Sequence, residues 1–206
     1  MRNFSERILA LYGEAGQKWL DALPALLSRY EKRWDLTLEA PFKNLSYNYV
    51  APVRRADGSW AVLKIGFPND ESRSEIAALR HFDGRGMVRL IDADEENCAM
   101  LLERIFPGET LWEIEDEQAT LHFLEVMPKL WRPYLGDYPF KSVDDWGKAF
   151  SRLRERYDGR TGKLDAVLVD KAENVFLTYW PPAMTPFFCM VICIMITCFL
   201  RSNDLI

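Results

Sequence analysis

The sequence predicts an α+β protein, with a small antiparallel sheet in its first half and helices after it. Three observations predict this. Two apolar runs of period two flank the turn Ala56-Asp57-Gly58. Apolar residues recur at three- and four-residue steps before them. Beyond Pro107-Gly108 only helical spacing is found.

In order along the chain, Trp19, Leu20, Leu23, Leu26, Leu27 and Tyr30 line one face from Glu14 to Trp34, giving one helix or two joined near Pro24. Asp35 to Lys43, with Pro41, reads as a connector. Ser46–Arg55 and Ser59–Gly66 read as strands of a hairpin, because Asp-Gly supplies the positive φ that a tight turn requires. Alternation along the second strand sets Val62 and Lys64 on one face and Ala61, Leu63 and Ile65 on the other. Pro68-Asn69-Asp70 opens a helix carrying Glu71, Glu75, Ile76 and Leu79, which Asp83-Gly84 ends. Met87–Asp92 and Cys98–Ile105 form a second hairpin candidate around Asp94-Glu95-Glu96-Asn97. Helices are expected over 116–127, with Pro128 and Pro133 interrupting at the end, over 143–156 after a Ser142 cap, and over 164–179. The segments then group as N-terminal helices (1–40), a sheet lobe (41–106), a partial helical lobe (107–180) and an apolar tail (181–206).

Composition narrows the function. With 49% apolar and 13% aromatic residues, 206 residues can bury a core. A net charge of −5 argues against a nucleic-acid partner, which needs a cationic stripe, and favours a small cationic ligand. The acidic run Glu113, Glu115, Asp116, Glu117 can attract such a ligand, but it also suits a solvated helix start, where the dipole favours acids. Cys98 stands alone in the body, and Cys189, Cys193 and Cys198 lie in the tail. No disulfide framework or Cys-x-x-Cys metal site follows, and with no apolar leader at Met1-Arg2-Asn3-Phe4 the expected location is cytoplasmic. His81 and His122 lie near no Ser, Cys or Asp constellation, so triad and metal chemistry have no support.

The strongest chemical signal is Ala61-Val62-Leu63-Lys64 followed eleven residues later by Glu75. A lysine on a buried strand is costly unless an anion meets it, and a lysine held by a helix glutamate is suited to the phosphates of a nucleotide. Each residue also has a plainer reading. Lys64 suits an edge strand kept soluble by charge, and Glu75 suits a Ser72-Arg73-Ser74-Glu75 capping box.

Seven further stretches stand in order around this pair. They are Gly16-Gln17-Lys18-Trp19-Leu20 with Leu23-Pro24, Leu45-Ser46-Tyr47-Asn48-Tyr49-Val50-Ala51-Pro52, Ser74-Glu75-Ile76-Ala77-Ala78-Leu79, Leu101-Leu102-Glu103-Arg104, Pro107-Gly108, Leu130-Trp131-Arg132-Pro133 and Leu168-Val169-Asp170-Lys171-Ala172-Glu173. Over residues 10 to 178 the chain thereby resembles the aminoglycoside and hydroxyurea antibiotic-resistance kinases of the streptomycin 6-phosphotransferase type. The resemblance implies a protein-kinase-like fold with a nucleotide lobe and an incomplete helical lobe. It implies ATP and Mg2+ as cofactors and transfer of a phosphoryl group to an alcohol of a streptomycin-like antibiotic. On it, Lys64 contacts the α and β phosphates, Glu75 orients Lys64, and Val62 lines the adenine face. Backbone groups of Glu103 and Ile105 read the adenine edge, although the same segment also reads as an ordinary strand end. Ser46, Asn48 and Tyr49 fall in the turn that covers the phosphates. No Gly-x-Gly-x-x-Gly is present there, and Asn48 can equally cap its own turn.

The family pattern stops after residue 178. The 206 residues contain no His-Gly-Asp with a following Asn and no later metal-binding Asp, so no catalytic or metal-ligating residue is carried over, and little or no turnover is expected. Asp170 and Asn174 have nearly the spacing of a catalytic loop, but they fall within a helix and lack the His. The stretch 183–200 has three readings: a marginal membrane anchor of about 27 Å, a buried helix, or the product of a shifted frame, which its abrupt onset favours. A reading from a different class is a non-catalytic nucleotide-binding or membrane-tethered module.

Overall fold

A five-stranded antiparallel sheet with helices is what the chain forms, in a computed structural model that describes residues 3–108, 111–130, 137–140 and 143–179. The expected Ser142 cap and the apolar tail lie outside the described residues. The chain divides into two compact units, Met1–Ala119 and Thr120–Thr197, so the division falls beyond Pro107-Gly108 and the N-terminal helix belongs to the same unit as the sheet.

The first unit begins with α1 (Phe4–Trp34), capped by Asn3 and Glu6 in a reciprocal capping box. Its one internal break is at Gly13, with φ 56° and ψ −130°, and not near Pro24. Glycine reaches that conformation without a Cβ clash, whereas the helix carries Pro24 because Trp19, Leu23 and Tyr30 on either side are buried against the sheet. A left-handed Asp35 ends the helix.

The expected connector after α1 contains a short strand, β1 (Leu36–Leu38), which pairs with β2 (Asn48–Arg55). Three residues are too few for alternation to show in sequence. The hairpin of β2 with β3 (Trp60–Gly66) turns on Asp57-Gly58 as expected; Gly58 has φ 79°, and Asp57 Oδ1 accepts from the Ser59 amide at 2.9 Å. Next come α2 (Asp70–Phe82), β4 (Leu90–Asp94) and β5 (Ala99–Glu103), giving the sheet order β1-β2-β3-β5-β4.

Register assigns the two faces of the sheet. Tyr49, Ala51, Val53, Ala61, Leu63, Ile65, Ala99 and Leu101 form one core with Ile8, Trp19, Leu23 and Tyr30 of α1. Val62 and Lys64 alternate to the other face, across from Pro52 and Val50 on one side and Leu102 and Met100 on the other.

α1 is also tied to the sheet by a carboxylate. Asp94 is 8% exposed, and its Oδ2 accepts from the Tyr30 hydroxyl and from Arg33 Nη1, both at 2.9 Å, while Asn97 donates from its backbone amide to Oδ1 and from its side chain to Oδ2, both at 3.2 Å. Burial opposes the charged form of Asp94, but these donors outweigh it and hold the carboxyl below its ordinary range.

The second unit holds most of α3 (Asp116–Leu130), together with α4 (Val143–Arg156) and α5 (Ala166–Tyr179). α3 runs through Pro128 instead of stopping before it. The acidic residues Glu113, Glu115, Asp116 and Glu117 are exposed at and just before its start. Arg154 of α4 joins Asp170 at 2.6 Å and Glu173 at 2.9 Å on α5, so Asp170 is engaged in an interhelical ion pair.

Because the Asp94 pKa is lowered on folding, its contribution to stability is complete above about pH 4, the unfolded carboxylate value, and is lost as pH falls through the folded value. Asp94→Asn should lower the melting temperature at pH 7, at a cost of about 1–3 kcal/mol, and flatten the acid limb of the melting curve measured from pH 6 to pH 2.

Candidate functional site

Lys64 is the centre of the site. It lies near the end of β3, and β2 and β5 pair on either side of it at Val50 and Met100. The residue is 5% exposed, and its Nζ lies 2.5 Å from Glu75 Oε1, whose own side chain is 14% exposed. A buried ammonium loses several kcal/mol of hydration, and this charge-assisted bond is what recovers it. Lys64 is therefore not an edge-strand lysine, since β3 is interior to the sheet.

Glu75 reaches it because of how α2 is phased. Ser72, Ile76, Leu79 and Phe82 are buried, and Glu75 falls on the same helical stripe. Asn69 caps the helix, its Oδ1 accepting from the Ser72 amide at 2.8 Å, so Ser72 does not open a capping box and Glu75 is free for Lys64. The Ser72 hydroxyl donates instead to the Phe67 carbonyl at 3.1 Å.

The remaining predicted residues divide. Val62 shares the Lys64 face, beside Leu102, and is half-buried. Asn48 pairs with Gly66 across the hairpin, and a Cβ on Gly66 would sit 2.8 Å from Asn48 Oδ1 and 2.9 Å from Ser72 Oγ. The start of β2, the end of β3 and the first turn of α2 thus converge on one glycine, close to Lys64 in sequence. Ser46 is half-buried just before β2. Tyr49 goes elsewhere: it pairs with Ile65 on the α1 face, and burial followed by the nearby Glu31 charge raises its pKa.

At the end of β5 the Glu103 amide donates to the Arg89 carbonyl at 3.0 Å, and the Glu103 carboxylate accepts from the Arg89 amide at 2.7 Å. The Glu103 N–H is thus already engaged within the sheet. Ile105 follows, half-buried. The Arg104 guanidinium between them lies over Phe42, 4.8 Å from the ring centroid, and over Phe106 at 5.3 Å. Sequence reasoning placed Asn69 at the helix start but missed Phe42, Gly66 and the Ser72 contact with Phe67, whose parts depend on contacts that no local pattern announces.

A buried lysine held by a carboxylate beside the half-buried apolar Val62 fits a nucleotide triphosphate. Among the described residues no three His, Cys, Asp or Glu side chains gather into a group that could hold a metal by itself. Among them, too, no helix is long and apolar enough to cross a membrane.

The family model described as aminoglycoside/hydroxyurea antibiotic resistance kinase matches residues 33–176. A streptomycin 6-kinase of Streptomyces glaucescens is 42% identical over 113 residues, which are 55% of this chain and 37% of that protein. A streptomycin 6-kinase of Streptomyces griseus is 41% identical over 112 residues, 54% of this chain and 36% of its own length. A hydroxyurea phosphotransferase of Kitasatospora aureofaciens is 38% identical over 107 residues, 52% and 32% of the two chains. The match thus spans about a third of the length of each relative.

If Glu75 chiefly neutralises a buried charge, removing it alone should cost more than removing both partners. Glu75→Ala should lose about 2–4 kcal/mol in urea unfolding, while Lys64→Met with Glu75→Leu should lie within about 1 kcal/mol of the native chain.

Proposed function

Since the chain belongs to the aminoglycoside/hydroxyurea antibiotic resistance kinase family, we propose that its sheet-bearing unit binds ATP at Lys64, in the service of phosphoryl transfer to an alcohol group of a streptomycin-like aminoglycoside. The 2.5 Å Lys64–Glu75 pair carries this reading. An ammonium fixed by a carboxylate has donors left for phosphate oxygens, and its position is set before the nucleotide arrives.

Lys64 grips the α and β phosphates and Glu75 keeps it from swinging out. Val62 meets the adenine face, and the Glu103 carbonyl with the Ile105 N–H meets the adenine edge. Asn48 and Ser46 stand at the strand start where the phosphates lie. Mg2+ bound with the nucleotide would neutralise phosphate charge in this reaction. The excess of acidic groups suits a cationic acceptor, which long-range attraction brings in.

Phosphoryl transfer also needs a group to orient the acceptor hydroxyl, and the 206 residues carry no His-Gly-Asp segment to supply it. This chain by itself therefore binds nucleotide with little or no turnover.

Titration calorimetry with ATP and magnesium tests the first part. The native chain should bind, and Lys64→Ala should weaken binding about 10- to 100-fold, the loss of a hydrogen bond to a charged group. No heat from the native chain would contradict the reading. Labelled ATP with streptomycin tests the second part. No phosphorylated product is expected above that of Lys64→Ala, and a clear Lys64-dependent product would overturn the claim of low turnover.

A further inference from the structure

The link between β3 and α2 is three residues long, Phe67-Pro68-Asn69, and it joins the strand of Lys64 to the helix of Glu75. α1 grips both of its ends. The Tyr12 ring stacks on Phe67 with centroids 3.9 Å apart and 9° between planes, and Trp19 meets the same ring edge-on at 6.2 Å. The Tyr12 hydroxyl accepts from Asn69 Nδ2 at 3.0 Å.

Asn69 thereby spends both ends of its amide. Its oxygen caps α2 through the Ser72 amide, and its nitrogen reaches Tyr12. Rotating the amide would aim Nδ2 at the Ser72 N–H and lose the cap, so the Ser72 amide sets the orientation and the Tyr12 hydroxyl holds the Asn69 side chain in place for it. Burial raises the Tyr12 pKa, with the Asn69 bond opposing, so the phenol stays neutral at physiological pH and accepts without adding charge. Gly13, the break in α1, comes directly after Tyr12.

We propose that Tyr12 is a positioning residue for the nucleotide site, acting through Phe67 and Asn69 to fix the first turn of α2 and hence the place at which Glu75 meets Lys64. This rests on the reading of Lys64 and Glu75 as the ATP site. Tyr12 does not touch the nucleotide. A short, buried ion pair responds to small displacements of the helix that carries one partner, so a loosened N-terminus of α2 weakens the grip on phosphate before it unfolds the unit.

The test separates the Tyr12 link from the cap and from the stack. Tyr12→Phe keeps the ring and loses the acceptor. Asn69→Ser keeps a good N-cap oxygen and is too short to reach Tyr12. Each variant should bind ATP about fivefold more weakly in calorimetry with unchanged stoichiometry, and the double variant should be no weaker than either single one. Asn69→Asp should restore near-native affinity, because the Tyr12 hydroxyl can then donate to the carboxylate, and adding Tyr12→Phe to it should remove the rescue. Lys64→Ala is the control arm. Native affinity in Tyr12→Phe and Asn69→Ser, with binding lost in Lys64→Ala, would overturn the role of Tyr12 alone. Unchanged binding in Lys64→Ala would instead bring down the nucleotide reading beneath it. Reduced stoichiometry at native affinity would mean that the variants only unfold, which also overturns the proposal.

Discussion

A cation taken out of water must be met by an anion, and Lys64 is such a cation. Its strand is interior to the sheet, with β2 and β5 on either side, so the side chain cannot retreat along an edge. Glu75 is the group that meets it. That requirement constrains the start of α2, the short link from β3 and the buried stripe of Ser72, Ile76, Leu79 and Phe82, since a shift of one residue in helical phase would turn the carboxylate about 100° away.

The two faces of the sheet divide the work. α1 seals one face with Ile8, Trp19, Leu23 and Tyr30, and Asp94 ties the helix to the end of β4 through Tyr30 and Arg33. The other face carries Val62 and Lys64, and α2 brings its charge there. α1 is nonetheless not confined to the back: Tyr12 reaches the link that leads into α2. A single long element therefore contributes to the core and to the geometry of the charged pair.

Much of this was legible in sequence, for reasons that differ by residue. Asp57-Gly58 announced its hairpin because few residue pairs accept that backbone, and alternation along β3 assigned Lys64 and Val62 to one face correctly. Pro24 left one helix or two open, because a proline's local penalty is visible in sequence while the burial that outweighs it is not; one helix runs through it, and the break is at Gly13. Tyr49 lay beside polar residues in sequence, but its pairing with Ile65 puts it on the α1 face, and only the register reveals that. The Ser72 to Glu75 spacing imitated a cap that Asn69 supplies instead. Tyr12, Phe42 and Gly66 act through partners distant in the chain or across a hairpin, and no periodicity encodes such contacts.

In the proposed function the Lys64 ammonium lies against the triphosphate of a bound nucleotide. An acyl-phosphate derivative of ATP, which transfers its acyl group to an amine beside the phosphates, measures this directly when the labelled peptides are read by mass spectrometry. Acylation is expected at Lys64, and excess ATP should suppress it. Labelling confined to exposed lysines such as Lys18 and Lys148, unaffected by ATP, would contradict it.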